Sequence, residues 1–600
     1  MAKAVDKNDA MRHSCSHVMA QAIMEMFPEA KLAVGPWIDS GFYHDIELPR
    51  TLIPEDLPII EKKMKQIMKQ RQKFRQYDLP SDEAIKFLKD RGQDYTAEMA
   101  ADLKEGGEKT LSFYENIIQQ NDKIAFVNMC AGPHVDNTGE IGAFKLTSIA
   151  GAYFKGDSDR PMLQRIYGAC FETMEELDAY LKQLEEAKKR DHKILGKQLG
   201  LFVTDPLVGS GYPLFLPKGT FIKDTLADYI KDLKKENNYT FVSIPHVAKE
   251  ELYIKSGHMG KYDAMMPVME TVEGERYVMK AMNCPHHFCL YNAQQHSYRD
   301  LPLRYAENTA VYRFEKSGEV SGLLRVRCIT QDDTHHFVKH DQIEEEIEMI
   351  LGITKEVYET FGFTKFRAQI SIRDPKTPDK YFGDDKLWAN AEKKLIAGVK
   401  KWGQKYSVEE GEAAFYGPKI DIMVEDTIGR EWQLTTVQLD FNQPENFDMT
   451  YIGEDGKEQR PAVLHVAIFG SVERFMGILI EHFAGAFPAW LAPVQVFVCP
   501  VADPHVKYAE EFLTELKKEG VRASLAMPEE SLGKRIRNAE RMKIPYMIVI
   551  GDEEMEGWSK GNGSKGGSVA VRSYKTQKQT STKAINFIKK LLKEIAERSL

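Results

Sequence analysis

Six hundred residues exceed what one hydrophobic core supports, so roughly three to five domains are expected. A net charge of −9 excludes a protein that coats nucleic acid generally, and seven cysteines in this length make no disulfide framework. The opening "MAKAVDKNDAMRHSCSH" holds no apolar run, so no secretory signal is expected and the cytoplasm follows by default.

The first expected element is an amphipathic helix, His13 to Met26, with His13 and His17 four residues apart on one face. A basic helix around Glu61 to Arg75 follows, a face for solvent or RNA. Cys130 and His134, in "NMCAGPH", repeat the four-residue spacing, although Gly132 and Pro133 favour a turn. Two His, one Cys and one His supply the donors of a tetrahedral zinc site. Met174 to Leu199 is expected as one long, charged helix bridging two domains. An α/β region from Gly200 to Leu491 opens with a helix near Thr220 to Glu236, then a strand ending at Pro245. It closes with the helix of "GSVERFMGILIEHFAG". The longest uncharged stretch, Phe483 to Ala502, is broken by Pro488, Pro493 and Pro500, and reads as a linker into a strand, not a membrane span. From Ala492, strands "VQVFVCPV", "PYMIVIGD" and "SVAVRSY" alternate with helices, which predicts a small α/β domain. Gly557 to Ser568 reads as a flexible loop. From Pro493 onward 19 Lys/Arg face 14 Asp/Glu, a basic end suited to a polyanion partner.

Arg304 to Phe337, "RYAENTAVYRFEKSGEVSGLLRVRCITQDDTHHF", is the most informative segment. It reads as two strands and a turn, with Arg313 and Glu315 on one face, Arg325, Arg327 and Ile329 on another, and Gln331, Asp333 and His335 together. Such a surface is costly in a core and natural as a floor for a polyphosphate, because Arg forks match phosphate oxygens. Cys284, His335 and His465 carry donors suited to zinc, but 51 and 130 residues separate them, so spacing alone is silent. His286, His287 and His336 are adjacent alternatives; His335 is preferred because it shares a face with Asp333 and Gln331.

Taken in order, these segments resemble class II aminoacyl-tRNA synthetases, and the threonyl-tRNA synthetase family in particular, over essentially the whole chain. The resemblance implies an α+β multidomain protein. Its parts are an editing domain (1–173), a linker helix (174–199), a catalytic domain on an antiparallel sheet (200–491) and an anticodon-binding α/β domain (492–600). The small ubiquitin-like domain that precedes the editing domain in the family is not expected in this sequence. Implied partners are ATP with Mg2+, L-threonine and tRNA(Thr), and Pro245 matches the motif 1 proline of a homodimer interface. Implied zinc ligands are Cys284, His335 and His465, one ion per subunit, taking the amino and hydroxyl groups of threonine. That solves a selection problem, since an apolar pocket separates threonine from valine poorly, while serine, which keeps the hydroxyl, leaks through.

For activation, the resemblance makes Arg313 and Arg474 the motif 2 and motif 3 arginines. Glu315 meets the adenine amino group, Arg325 the γ-phosphate, and Lys419, Gln433 and Thr436 also line the ATP site. Met282, Gln331, Asp333, Tyr416, Gln438 and Ser471 are the implied threonine contacts. The chain departs from the family at Ile329, where a Phe stacks on adenine, and at His286, where Gly is usual. His13, His17, Cys130 and His134 match the seryl-tRNA editing site, but Asn128 replaces an Asp there, and an amide is no base. Arg537, Glu554 and Arg572 match anticodon-reading positions, with Lys543 where a second Arg is common. The competing expectations are a tRNA-binding paralogue without charging activity, and an enzyme for serine, proline or histidine.

Overall fold

The computed structural model describes residues 7–157, 159–377, 380–381, 385–559 and 567–600. It divides into two units, Met1–Glu185 and Glu186–Leu600.

In the first unit the helix Lys7–Met26 is buried without a break from Ser14 to Ile23. The expected amphipathic helix is therefore a central one, and its Ser, Cys and Ala residues let the neighbouring elements approach closely. It packs on a five-stranded antiparallel sheet whose main path runs Lys31–Leu32, Gly41–Glu47, Met162–Phe171, Ala143–Tyr153. A second sheet joins Lys73–Pro80, Thr110–Ile118 and Lys123–Met129, and brings Asn128 beside Cys130. The expected basic helix is shorter than read. It spans Leu57–Lys69, its Glu61 is buried and accepts from Leu146 N, and Arg75 lies on a strand paired with Glu115.

The second unit is built on an eight-stranded sheet. Its order is Thr240–Phe241, Leu303–Tyr312, Cys328–Val338, Ala462–Ala467, Glu431–Asp440, Lys419–Glu425, Phe366–Ile372 and Tyr406–Glu410. All pairings are antiparallel except the two at the edges. Alternation sends Val338, Leu464, Val466, Val437, Leu439, Ile420 and Ile422 into one core with the helices Pro217–Glu236, Ile343–Thr360, Asp385–Trp402 and Val472–His482. The polar residues between them turn to the other face, where the site lies.

Four expectations change. The strand expected to end at Pro245 is Thr240–Phe241 and stops short of that proline. The strands of the Arg304–Phe337 segment stop at Tyr312 and restart at Cys328. Arg313, Glu315, Arg325 and Arg327 thus sit on a folded loop, not on shared strand faces. Turn residues and internal bonds hold that loop, including Ser321 N to Arg325 O at 3.1 Å. The long charged helix is two, Met174–Arg190 and His192–Leu199, because Asp191 leaves helical geometry and caps the second through Lys193 N at 2.7 Å. The uncharged stretch after Phe483 is no linker: Phe487, Trp490 and Leu491 belong to the main core.

The C-terminal sheet runs Ala523–Leu525, Val496–Pro500, Tyr546–Ile550, Ser568–Ser573, Gln579–Lys583, with helices between, as the alternation predicts. Of the expected loop Gly557–Ser568, a helix reaches Ser559 and residues 560–566 lie outside the described ones. Among the described residues no helix is long and apolar enough to cross a membrane.

Candidate active site and metal centre

Strand register assembles the first cluster. His335 pairs directly with His465, and His465 with Gln438, so three strands present their side chains to one point. Cys284 arrives from above, at the start of the helix Cys284–Asn292, where Pro285 suits the first turn. Phe288 and Tyr291 anchor that helix against Phe337 and Phe447.

The donor atoms of Cys284, His335 and His465 all lie within 4.8 Å of one another. His335 uses Nδ1 on His287 Nδ1 at 2.8 Å, and His465 donates from Nε2 to Asp440 Oδ2 at 2.9 Å. The remaining nitrogens, His335 Nε2 and His465 Nδ1, are buried and have no protein partner. Two imidazoles oriented by outer bonds, each with one nitrogen left over beside a cysteine sulfur, are a donor set that fits a tetrahedral cation with an open position. Burial drives His335 well down and Cys284 up; burial also opposes charge on His465, yet Cys284 and Asp440 push it up to about 10.

Around this cluster, Asp333 accepts from Asn283 Nδ2 at 2.9 Å and Tyr416 donates to Gln438 at 2.6 Å. Met282 is buried in a satellite core beside Tyr253, whose hydroxyl bonds its carbonyl. Gln331 shares the face of Asp333 and His335.

Further along the sheet lies a cationic group. Asp421 gathers Lys419 at 2.8 Å, and Gln433 and Thr436 at 2.7 Å each. The register shift after Asp421 is what turns Gln433 to this side. Ser471 caps the helix Val472–His482 through Arg474 N. The buried Arg474 Nε has no hydrogen-bond partner, the guanidinium lies over the Trp432 ring 5.9 Å from its centre, and burial with Arg325 nearby lowers the Arg474 pKa. Arg313 lies over the Tyr262 ring, 5.7 Å from its centre. Arg325 bridges Glu315 at 2.8 Å and Glu319 at 2.9 Å. Ile329 packs with Val311 and Val326.

Sequence reading missed the supports. His287 and Asp440 orient the candidate ligands. Asp332 accepts from the backbone of Ile468, Phe469 and Gly470 and from the buried Lys234. The doubled Asp in "TQDD" was the available signal, since neighbours on a strand face opposite ways.

In the first unit, Cys130 Sγ lies 3.4 Å from His13 Nε2 and 3.2 Å from His134 Nε2. Ser14 Oγ gives its hydrogen to Ala10 O, so it accepts from His134 Nδ1, at 3.0 Å. That tautomer leaves His134 Nε2 as an acceptor toward the thiol. His17, the fourth donor of the tetrahedral reading, stands apart. Its ring stacks on His134 with centres 4.9 Å apart, against Phe74 and Phe126, and neither nitrogen has a partner. Burial lowers His13, His17 and His134 and raises Cys130 to about 11. A cavity of about 380 Å³ opens beside them, lined also by His44 and Asn128.

In the C-terminal domain, Arg537 is exposed, Arg572 pairs with Glu540 at 2.6 Å, and Glu554 accepts from Gly551 N at 3.0 Å. Lys543 donates to Ala484 O.

An antiparallel sheet with this cationic floor and this capped helix is a class II tRNA synthetase core. The family model "tRNA synthetase class II core domain (G, H, P, S and T)" matches residues 268–483. The anticodon binding domain model matches 495–594, and the threonyl and alanyl tRNA synthetase second additional domain matches 116–167. The threonine–tRNA ligase of Thermus thermophilus is 46% identical over 602 residues, 98% of this chain and 89% of that protein. That of Dehalococcoides mccartyi is 45% identical over 95% of this chain and 96% of its own. The crystal structure of the RNA binding domain of threonyl-tRNA synthetase from Cryptosporidium parvum superposes with a TM-score of 0.62 at 33% identity. It covers 67% of this chain and 98% of that one. The chain belongs to the threonine–tRNA ligase family.

Proposed function

We propose that the chain activates L-threonine with ATP and Mg2+, transfers the threonyl group to the 3′ end of tRNA(Thr), and hydrolyses seryl-tRNA in its first unit. The observation that carries the reading is the convergence of Cys284, His335 and His465 with two buried, unshared nitrogens. A zinc ion on these three residues would supply a Lewis-acid position that demands both an amine and a hydroxyl from the amino acid. Asp333, held by Asn283, is placed to accept from the substrate hydroxyl, with Gln331, Met282, Tyr416, Gln438 and Ser471 completing the pocket.

The attack of a carboxylate on the α-phosphorus needs no side-chain nucleophile, so positioning and charge neutralisation supply the rate. Arg313 and Arg474 bind the α-phosphate and the phosphate chain. Arg325 releases Glu319 to reach the γ-phosphate, while Glu315 turns to the adenine amino group. Lys419, Gln433 and Thr436 follow Asp421 as one group beside the nucleotide.

In the first unit His13, His17, Cys130 and His134 hold the mischarged ester, and His13 takes the place of the carboxylate that Asn128 lacks. Arg537, Glu554 and Arg572 read the anticodon, and the exposed segment at Pro245 belongs to a homodimer interface. The domains then run 1–173, 174–199, 200–491 and 492–600, in a cytoplasmic enzyme. Aminoacylation of tRNA(Thr) with labelled threonine, serine and valine tests the reading. Stable threonyl-tRNA, transient seryl-tRNA and no valyl-tRNA is the expected pattern; valyl-tRNA formation would overturn the metal-selection step.

A further inference from the structure

The loop that carries Arg313, Glu315 and Arg325 is gripped from an unexpected side. His192, only 1% exposed, is the first residue of the helix His192–Leu199. Its Nδ1 lies 2.7 Å from Glu481 Oε1, which also accepts the His192 backbone N–H at 3.1 Å. Its Nε2 accepts the backbone N–H of Leu323 at 3.1 Å. The Leu323 contact requires a lone pair on Nε2, so the ring proton sits on Nδ1 and is donated to Glu481. One neutral imidazole thus ties three elements together: the helix after Asp191, the loop between Tyr312 and Cys328, and the helix Val472–His482.

The neighbouring glycines fit that junction. Gly322 has φ +50°, and a Cβ there would stand 2.1 Å from His192 Nε2. A Cβ on Gly477 would meet Leu323 Cβ and Leu324 Cδ2 at 3.2 Å each. Gly477 is three residues beyond Arg474 and so on the same side of its helix. The loop therefore lies along the Arg474 side of that helix, and the His192 contact falls two residues before Arg325.

We propose that His192 is a positioning residue for the nucleotide: it fixes the 313–327 loop against the helix Val472–His482, so that Arg325 and Arg474 face one polyphosphate. This rests on the ATP-site reading above. The imidazole touches no substrate and acts only through Leu323.

Two substitutions separate the bonds. In His192→Asn the amide keeps a donor for Glu481 but cannot reach Leu323; in His192→Gln the longer amide offers an oxygen near the Nε2 position. In ATP–pyrophosphate exchange by the full chain, His192→Asn should raise KM for ATP about tenfold, with kcat and KM for threonine within about twofold, the scale of one buried hydrogen bond. His192→Gln should recover most of that loss. Amide hydrogen exchange at Leu323 should be slow in wild type and His192→Gln and fast in His192→Asn, whether or not the enzyme turns over. Should His192→Asn not fold, Gly322→Ala, which displaces the same nitrogen from the loop side, must show the same ATP-selective rise. Equal behaviour of the Asn and Gln variants, or an unchanged KM for ATP, overturns the proposal. Wild-type protein with a protected Leu323 amide and no exchange activity would instead overturn the ATP-site reading.

Discussion

His287 stands behind His335, Nδ1 to Nδ1 at 2.8 Å, and its own Nε2 lies 3.7 Å from Glu307 Oε2. For His335 to offer Nε2 to a cation, its proton must be on Nδ1 and His287 must accept it, which leaves the His287 proton on the Glu307 side. Two histidines that looked interchangeable in sequence thus have different places, one facing the cluster and one orienting it. His287→Ala and Asp440→Asn should each weaken zinc binding about 10–100-fold without removing a ligand, measured by chelator competition. Cys284→Ser, by contrast, should lose the ion outright.

Arg474 is half-buried over the Trp432 ring, and its Nε is buried with no hydrogen-bond partner, so among the described residues no carboxylate is bonded there. Arg474→Ala should cut kcat of threonine-dependent exchange by about 10²–10³, the range for losing one group aimed at developing charge. Arg474→Lys should rescue little, because a point charge lacks the fork. Steady-state exchange across ATP concentrations checks both.

Asn128 borders the cavity beside Cys130, and its Oδ1 accepts from Met129 N at 2.9 Å. Asn128→Asp should speed hydrolysis of seryl-tRNA, and His13→Ala should slow it by about 10²-fold or more, the usual contribution of general base catalysis. Deacylation of preformed seryl-tRNA reads both variants directly.

Much of this site was legible because strand alternation is a strong rule: Gln331, Asp333 and His335 share a face in sequence and in the sheet. What alternation could not give was where the strands end. Arg313 and Arg325 obey the same period but lie beyond Tyr312 and before Cys328, where ion pairs and a positive-φ glycine hold a loop. Asp191 was equally hidden, since a lone Asp in a Glu/Lys-rich run looks like another surface charge until it caps a second helix. The meeting of Cys284, His335 and His465 depends on non-local register, which no spacing of 51 and 130 residues encodes.

Acid should lower the stability of the second unit over two successive pH ranges. Burial holds His482 at about 4, below its ordinary 6.5, so unfolding takes up a proton and stability falls as pH drops from about 6.5 to 4. At Glu346 burial raises the pKa, but Arg304 at 2.5 Å and His336 at 2.9 Å outweigh it and hold the carboxyl at about 2. Its stabilisation is complete above the ordinary 4.5 and is lost as pH falls from there toward 2. Glu346→Gln should be less stable at neutral pH and show a shallower loss below about 4.5 only, as followed by denaturant titration across pH.

In the proposed reaction a metal on Cys284, His335 and His465 selects threonine for activation. The most direct test is ATP–pyrophosphate exchange by metal-stripped protein, before and after zinc is restored, with threonine, serine and valine supplied separately. No exchange is expected without zinc. With one zinc per chain, strong exchange with threonine, weaker exchange with serine and none with valine are expected. Threonine-dependent exchange that survives complete removal of the metal from folded protein would contradict selection by the metal.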